Sequence, residues 1–378
     1  MRSPAPSLLA AHLLASLASL ASLASLASPA AAAEAAPPAA AAERGAWDLE
    51  IAPLRPGIFL LRRPEVLRQP VEPNAAVIVN ARDVVVVDGG GTPLAAENAI
   101  RLIRTVTDRP VSVLVNTHWH GDHCLGNQVY RAAFPGIVIV GHENTRRDMA
   151  GSPMKYVERL PAQLQPVVDD LRAKEQKGEL KPRQRRLIPD LETLLREAKR
   201  IEVTPPDLTV RDGLTLHRGE REIQVLHLGK GNTEGDLVVW LPRERLLFSG
   251  DLLVEPIPYG FGSFPAAWIE TLDRVAALGA EVIVPGHGEP MRDLGYLRRL
   301  QAVLREVRAQ VGASVARGLD LDSSRKALDL SALERDFTLG DDLRKLLWTA
   351  WWVNPIARSA WLEAKGLPIV QGASDETG

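Results

Sequence analysis

A run of metal-binding side chains directly follows an apolar, strand-like run in the middle of this chain. Residues 111–115 are Val-Ser-Val-Leu-Val, and residues 116–123 read Asn-Thr-His-Trp-His-Gly-Asp-His. Four potential metal ligands lie within six residues, namely His118, His120, Asp122 and His123. A loop at a strand end allows the first two ligands to face one point and the last two a second, so one short loop can hold neighbouring ions. The segment predicts a metal centre at the carboxyl end of a buried strand.

Two further candidate ligands occur in the same setting later in the chain. Asp251 follows the apolar run 246–248, and His287 follows the apolar run 282–284, each with glycine neighbours. Ligands collect at the carboxyl ends of strands in layered sheets, and glycine allows the backbone to approach closely. We therefore expect both side chains to complete the site that begins in the His-rich segment.

Alternating strand and helix patterns predict a layered α/β architecture. Apolar spacing over residues 93–106 predicts an amphipathic helix, and β-type runs bounded by turn residues predict strands on either side of it. The predicted strands cover residues 57–61, 75–79, 84–87, 111–115, 137–140, 222–227, 237–241, 246–248 and 282–284. The order strand, helix, strand favours a layered fold.

Two stretches of the chain have helical rather than strand patterns. Residues 146–200 are interpreted as a helical insertion, and residues 296–378 as a helical C-terminal extension. Prolines are expected to divide the insertion into short helices, at Pro161, Pro166, Pro182 and Pro189. The tryptophans of the extension could line a substrate or partner groove, but aromatic residues at helical spacing favour a core role.

The N-terminal end has the pattern of a secretory signal peptide. An uncharged run over residues 8–27 follows Arg2 and leads into small residues with Ala-x-Ala patterns, which predicts a cleaved signal peptide over residues 1–33. Residues 34–46, rich in alanine, are interpreted as a flexible leader. We therefore expect a periplasmic or secreted protein without stable membrane insertion after signal cleavage.

Composition restricts the partners of this chain. The 45 basic and 47 acidic side chains leave a formal charge of -2, so no overall field attracts nucleic acid. A small-molecule substrate is expected instead, and the oligomeric state is left open. The single cysteine, Cys124, excludes an intramolecular disulfide bond.

The order of the candidate ligands resembles the metallo-β-lactamase superfamily. The pattern of that family is His-x-His-x-Asp-His, then a histidine, then a bridging aspartate or cysteine, then a final histidine, and the resemblance covers residues 47–294. It implies a four-layer αββα sandwich over residues 47–295 with one or two metal ions at one edge between the sheets. Zinc is the usual ion, and iron or manganese are alternatives.

The resemblance also implies a role for each candidate ligand. The expected ligands are His118 and His120 for the first ion, and Asp122, His123 and His287 for the second. Asp251 would bridge the two ions, as in relatives similar to glyoxalase II. Asp88, at the end of the strand over residues 84–87, matches a buried acid that orders the loop of the site.

One position departs from the family pattern. The middle histidine of the family is replaced by Asn232 in the segment Gly-Asn-Thr-Glu-Gly-Asp. An amide oxygen is a weaker zinc ligand than imidazole, so the first ion is expected to be bound weakly or differently. His227 could compensate, but its place on a predicted strand favours a structural or pocket-lining role.

The activity that the resemblance implies is hydrolysis of an ester, thioester, lactone or lactam bond by metal-bound hydroxide, which Asp122 would orient. Trp119 and the loop over residues 256–264, with Tyr259 and Phe261, are candidates for lining the pocket, and simple packing is an equal alternative.

Two other functions stay open for this chain. One is a mononuclear iron redox enzyme that uses two histidines and Asp251, and the other is a non-catalytic metal-binding protein.

Overall fold

The structure is a computed structural model that describes residues 45–180 and 182–372. The predicted signal peptide and residues 34–44 of the predicted leader lie outside the described residues. Among the described helices, none has the length and apolar character needed to cross a membrane.

The first sheet has seven strands, which lie side by side in chain order. They are β1 (Glu50–Arg55), β2 (Ile58–Arg62), β3 (Ala75–Val79), β4 (Val84–Val87), β5 (Val111–Val115), β6 (Val138–His142) and β7 (Leu208–Val210). Neighbours from β1 to β4 pair antiparallel, and neighbours from β4 to β7 pair parallel. The carboxyl ends of β4 and β5 therefore meet at the same edge of the sheet.

The second sheet has five strands. They are β8 (Gly213–Arg218), β9 (Arg221–Leu226), β10 (Val238–Leu241), β11 (Leu246–Phe248) and β12 (Val282–Val284), in the spatial order β12-β11-β10-β9-β8. The pair β11 and β12 is parallel, with Phe248 opposite Val284. The residues that follow these two strands consequently lie together at one edge.

The helices belong to three parts of the chain. The first group is α1 (Pro93–Val106), α2 (Gly121–Cys124), α3 (Asn127–Ala133) and α4 (Glu143–Ala150). The insertion continues with α5 (Tyr156–Gln176) and α6 (Pro182–Ala198). The remaining helices are α7 (Pro265–Ala277), α8 (Gly295–Ala316), α9 (Leu321–Ala327), α10 (Ser331–Thr338), α11 (Asp342–Leu347) and α12 (Asn354–Ala364).

The two sheets pack face to face, with helices on both outer faces. Val85 and Val87 of β4 lie in the core between the sheets, whereas Val84 and Val86 pack on the opposite side with α1 and α3. A strand made of valine alone is typical of a strand that is buried on both faces. Helices α7 and α8 cover the outer face of the second sheet. This four-layer arrangement confirms the predicted αββα fold class.

The insertion forms two long helices, which differs from the prediction of short ones. Helix α5 has 21 residues and contains Pro161 and Pro166, and α6 has 17 residues and contains Pro189. A proline inside a helix costs about 3 kcal/mol. The two helices bury a shared apolar cluster, which includes Leu160, Leu164, Leu171, Ile188, Leu191 and Leu195, and this burial offsets that cost. The prediction that these three prolines end helices was wrong; Pro182 does stand at a helix start.

The tryptophans of the extension are mostly core residues. Trp348, Trp351 and Trp352 are buried in the cluster that covers the second sheet, as the core interpretation predicted. They lie in a π-helical turn over Trp348–Val353. The carbonyl oxygen of Trp351 accepts a hydrogen bond of 2.8 Å from the backbone of Gly260. The extension therefore holds the loop over residues 256–264 that follows β11.

Candidate metal centre

Four strand ends place the candidate ligands at one edge of the sandwich. The His-rich segment follows β5, Asp251 follows β11, His287 follows β12, and Asp88 directly follows β4. The start of the His-rich segment is fixed by two buried side-chain amides. Asn116 donates to Asn127 at 3.0 Å, and Asn127 donates back to Asn116 at 2.7 Å.

The donor atoms form two groups, which are named after the two ions that the family pattern implies. The group expected to hold the second ion, here called the second donor set, comprises Asp122, His123, His287 and Asp251. Oδ2 of Asp122 lies 3.4 Å from Nε2 of His123 and 3.0 Å from Nε2 of His287, and the two nitrogens are 3.3 Å apart. Oδ1 of Asp251 lies 3.2 and 3.7 Å from the same nitrogens. Donors at tetrahedral corners around zinc, about 2.0–2.2 Å from the ion, are about 3.3–3.6 Å apart. The five distances, from 3.0 to 3.7 Å, lie close to this spacing.

A further group, the first donor set, comprises His118, His120 and Asp251. Nε2 of His118 lies 3.5 Å from Oδ2 of Asp251, and the donor atoms of all three residues lie within 4.8 Å of one another. Both Nε2 atoms and both oxygens of Asp251 are buried and have no hydrogen-bond partner among the described residues. Buried polar atoms are normally hydrogen-bonded, so these atoms fit metal ligands. Asp251 contributes one oxygen to each donor set.

Asn232 is buried at the position where the family has a histidine. Its Nδ2 donates a hydrogen bond of 2.7 Å to the carbonyl oxygen of Tyr259, which fixes the orientation of the amide. Its Oδ1 is buried and, among the described residues, has no hydrogen-bond partner. The chain therefore offers a neutral oxygen here instead of an imidazole nitrogen.

Neighbouring groups orient the rings of three histidines. Nδ1 of His123 lies 2.8 Å from Oδ2 of Asp88, and Nδ1 of His287 lies 3.1 Å from the backbone oxygen of Glu72. Nδ1 of His118 lies 3.0 Å from Oγ1 of Thr117. When the Nδ1 atoms of His123 and His287 donate to these oxygens, their Nε2 atoms are left as acceptors. The structure thus places Asp88 behind a candidate ligand, next to the centre.

Burial and neighbouring charges shift the pKa values of two candidate ligands. Burial, helped by His118, lowers the pKa of His120 to about 3, so its ring is neutral at neutral pH. Burial alone would raise the pKa of Asp122, but His123 and His287 outweigh it and bring the value to about 2. Both side chains are therefore in the protonation state that binds a metal ion.

Replacing Asp88 with asparagine is expected to weaken zinc binding at the second donor set by about tenfold. Oδ1 of Asp88 accepts from the backbone of Thr117 and Oδ2 accepts from His123, so an amide can keep only one of the two bonds. The backbone of Asp88 has a φ of 64°, which asparagine tolerates. Competition with a chelator measures the zinc affinity.

Asp83→Asn is the control, because it changes a carboxylate that is bonded to Ser112 and Arg218 instead of to a candidate ligand. Equal zinc affinities in the two variants would contradict the role of Asp88.

Two other candidates lie outside the donor sets. Nδ1 of His227 lies 2.9 Å from the carbonyl oxygen of Asp236, and its ring packs on His142 at a centroid distance of 4.3 Å. Trp119 is buried, and its indole N–H donates to Oε1 of Gln371 at 2.9 Å. Neither side chain is among the described residues that line the cavity beside the centre. Both side chains are held by contacts with neighbouring residues.

A cavity of about 900 Å³, counting the part open to solvent, lies beside the donor sets. Its walls include His120, Asp122, Tyr259 and Phe261. The structure therefore places the two aromatic candidates of the loop over residues 256–264 at the cavity, in contrast to Trp119.

Glu72 is a residue of this cavity that the sequence did not indicate. It is buried, and its Oε2 accepts a hydrogen bond of 3.2 Å from the backbone of Gly91. Burial raises the pKa of its carboxyl to about 8. Glu72 follows no recognisable motif and lies far from the other site residues in the chain, so no local pattern could have identified it.

Several known proteins are similar in sequence to part of this chain. A metallo-beta-lactamase type 2 from Bacteroides fragilis is 24% identical over 228 residues, which are 58% of this chain and 70% of that protein. A linear primary-alkylsulfatase from a Pseudomonas species is 22% identical over 252 residues, which are 63% of this chain and 45% of that protein. An acyl-coenzyme A thioesterase from Bos taurus is 29% identical over 94 residues, which are 23% of this chain and 33% of that protein.

A match to a family model identifies the superfamily of this chain. A metallo-beta-lactamase from Pontibacter korlensis superposes with a TM-score of 0.48 and 20% identity, covering 68% of this chain and 99% of that one. The model of the metallo-beta-lactamase superfamily matches residues 68–287, a span that contains both donor sets. This match covers more than half of the 378 residues. The chain belongs to the metallo-beta-lactamase superfamily.

Proposed function

We propose that this protein is a zinc-dependent hydrolase that cleaves an ester, thioester, lactone or lactam bond. The observation that carries this proposal is the pair of donor sets that share Asp251 beside a cavity. Imidazole and carboxylate donors with tetrahedral spacing suit zinc. The relatives named above include a lactamase, a sulfatase and a thioesterase, which supports hydrolysis as the reaction class without identifying the substrate.

Ions held by the two donor sets would lower the pKa of a water molecule toward about 7 and polarise the substrate carbonyl. The chain itself supplies the proton acceptor and the orientation of the site. Asp122 borders the cavity and has a low pKa, so its carboxylate can accept a hydrogen bond from water at neutral pH. Asp88 holds His123 in place through the 2.8 Å contact.

Metal analysis and a substrate panel test this function. We expect the purified protein to contain zinc and to hydrolyse at least one of a p-nitrophenyl ester, a thioester, a lactone and a β-lactam. Chelation should abolish the activity and added zinc should restore it. Iron in place of zinc, with no hydrolysis of the panel, would favour the mononuclear iron enzyme, and bound metal with neither iron nor hydrolysis would favour a binding protein.

We also propose that the protein is exported and that its mature chain begins near Glu34. The uncharged N-terminal run and its small-residue end support this proposal. N-terminal sequencing of protein from the periplasm or the medium should find a start near this position. Full-length chains found in the cytosol alone would contradict export.

A further inference from the structure

The cavity beside the donor sets is lined mainly by apolar side chains. Its described lining includes Leu125, Leu160, Leu194, Ile201, Phe261 and Trp351. The cavity borders candidate ligands, and a mainly apolar lining with a few polar groups is typical of small-molecule sites. The group that enters this cavity is therefore expected to be apolar.

The ionisable groups of the lining are acidic or belong to the donor sets. Glu72 and Asp122 line the cavity together with His120, and no lysine or arginine is among its described lining residues. The nearby Arg63 donates to the carbonyl oxygens of Ala46 and Pro70 instead. A carboxylate or phosphate placed among the apolar side chains would have no cation to pair with, and burying an unpaired charge is costly.

Part of the apolar wall comes from the helical insertion and the C-terminal extension. Leu160 and Leu194 belong to α5 and α6 of the insertion, and Ile201 follows α6. Trp351 belongs to the π-helical turn of the extension. Because Trp351 also accepts the hydrogen bond from Gly260, the extension positions the loop that carries Phe261. The insertion and the extension therefore shape the cavity.

We propose that this cavity binds an uncharged, apolar acyl chain, and that the substrates are esters or thioesters of apolar carboxylic acids. This inference rests on the proposed hydrolase function, and it narrows the substrates of that function to one chemical class. The acyl chain lies among the side chains of the insertion, the extension and the loop over residues 256–264, and the scissile carbonyl lies at the donor sets. Substrates with a second carboxylate on the acyl chain are excluded by the absence of a cation in the described lining.

A chain-length series of p-nitrophenyl esters, from acetate through butyrate and octanoate to decanoate, tests the inference on the zinc-loaded protein. We expect kcat/KM to rise about fourfold for each methylene that the cavity buries. The monoester of suberic acid, which has the octanoate chain length with a terminal carboxylate, should react at least about tenfold more slowly than the octanoate ester. Equal rates along the series, or equal rates for octanoate and suberate, would overturn the inference and leave the hydrolase function intact.

Two half-buried lining positions provide variants that keep the core. Ile201→Asn and Val71→Asn should each lower the ratio of decanoate to acetate hydrolysis by about tenfold, because each places a polar group against the acyl chain. Leu208→Asn, at a side chain that is 46% exposed and outside the cavity, is the matched control and should leave the ratio unchanged. Unchanged ratios in both folded cavity variants would contradict the inference.

Binding of unreactive ligands separates this inference from the proposed function. The neutral probe N-phenyl-1-naphthylamine should bind the zinc-loaded protein, and decanol should displace it at much lower concentrations than butanol. Ile201→Asn should reduce this difference. If no ester, thioester, lactone or β-lactam is hydrolysed, the hydrolase function fails, and the displacement series still decides whether the cavity binds apolar chains. Equal displacement by decanol and butanol would overturn the inference.

Discussion

Replacing Asp251 with alanine is expected to remove tightly bound zinc from both donor sets and to lower the rate of hydrolysis by about 1,000-fold or more. Substitutions of residues that only orient a ligand already lower metal affinity or activity by about 10–100-fold, and the loss of a ligand itself should lower them further. One oxygen of Asp251 lies 3.2 Å from Nε2 of His123, and the other lies 3.5 Å from Nε2 of His118. A single substitution therefore deletes a donor from each set. The first donor set would keep only its two imidazoles, without any negative charge.

The fold should tolerate this change because Asp251 lies in a short turn outside the strands. It belongs to the 3-10 turn Gly250–Leu252 after β11, and its side chain is not part of an apolar core cluster. Burial alone would raise the pKa of Asp251, but His123, His287 and His118 hold it well below the usual value. In the variant these histidines lose their shared anion, so the effect is concentrated in the centre.

Metal analysis, circular dichroism and ester hydrolysis measure the outcome together. Asp236→Asn is the matched control, because Asp236 is also buried near His118 but accepts hydrogen bonds from Thr233 and belongs to neither donor set. The control should retain zinc and measurable activity. A folded Asp251→Ala variant with full zinc content and full activity would exclude Asp251 as a ligand.

The strands that carry the site could be predicted because their sequences are uniform. Strands β4 and β12 are short runs of branched apolar residues that are buried on both faces, and such a run is typical of a central strand. The helix predicted over residues 93–106 has the same bounds as α1. Strand β8 was missed because its side chains alternate between exposed and half-buried positions, which weakens the apolar signal.

The residues of the donor sets and two aromatic residues of the cavity could be predicted, but most of the cavity wall could not, for a physical reason. Four candidate ligands are neighbours in the chain, so their short spacing is itself a signal. The cavity walls instead come from Glu72, Leu160 and Trp351, which tertiary packing brings together. The prediction that prolines end the helices of the insertion was wrong for the same reason. The apolar cluster between α5 and α6 offsets the free-energy cost of a proline inside α5, and this cluster depends on packing rather than on the local sequence pattern.

The two donor sets are expected to bind zinc with unequal affinity, and Asn232→His should reduce the difference. The second donor set has two imidazoles and the carboxylates of Asp122 and Asp251. The first has His118, His120 and the shared Asp251, and the family pattern offers beside them only the neutral amide oxygen of Asn232, which is buried and unpaired among the described residues. Zinc should therefore fill the second donor set first.

An imidazole at position 232 can adopt the orientation that the amide has now. Nδ2 of Asn232 donates to the carbonyl oxygen of Tyr259, and a ring Nδ1–H can make the same bond and leave Nε2 as a ligand. Because imidazole is a better zinc ligand than an amide, we expect the affinity of the first donor set to rise by about 100-fold or more, provided that Nε2 reaches about 2.0–2.1 Å from the ion.

Competition with chelators of graded affinity measures both binding steps in the wild type and in two variants. Asn232→Ala is the matched variant, because it removes Oδ1 without supplying a ring nitrogen. The affinity of the first donor set should fall in the order histidine, asparagine, alanine, while the second donor set stays constant because it shares no residue with position 232. Crowding alone would favour the opposite order, because alanine is smaller and histidine is larger than the asparagine at this fully buried position. Two equal, tight steps in the wild type that neither substitution alters would show that position 232 supplies no ligand, and the first ion would then have to take its remaining donor from another group.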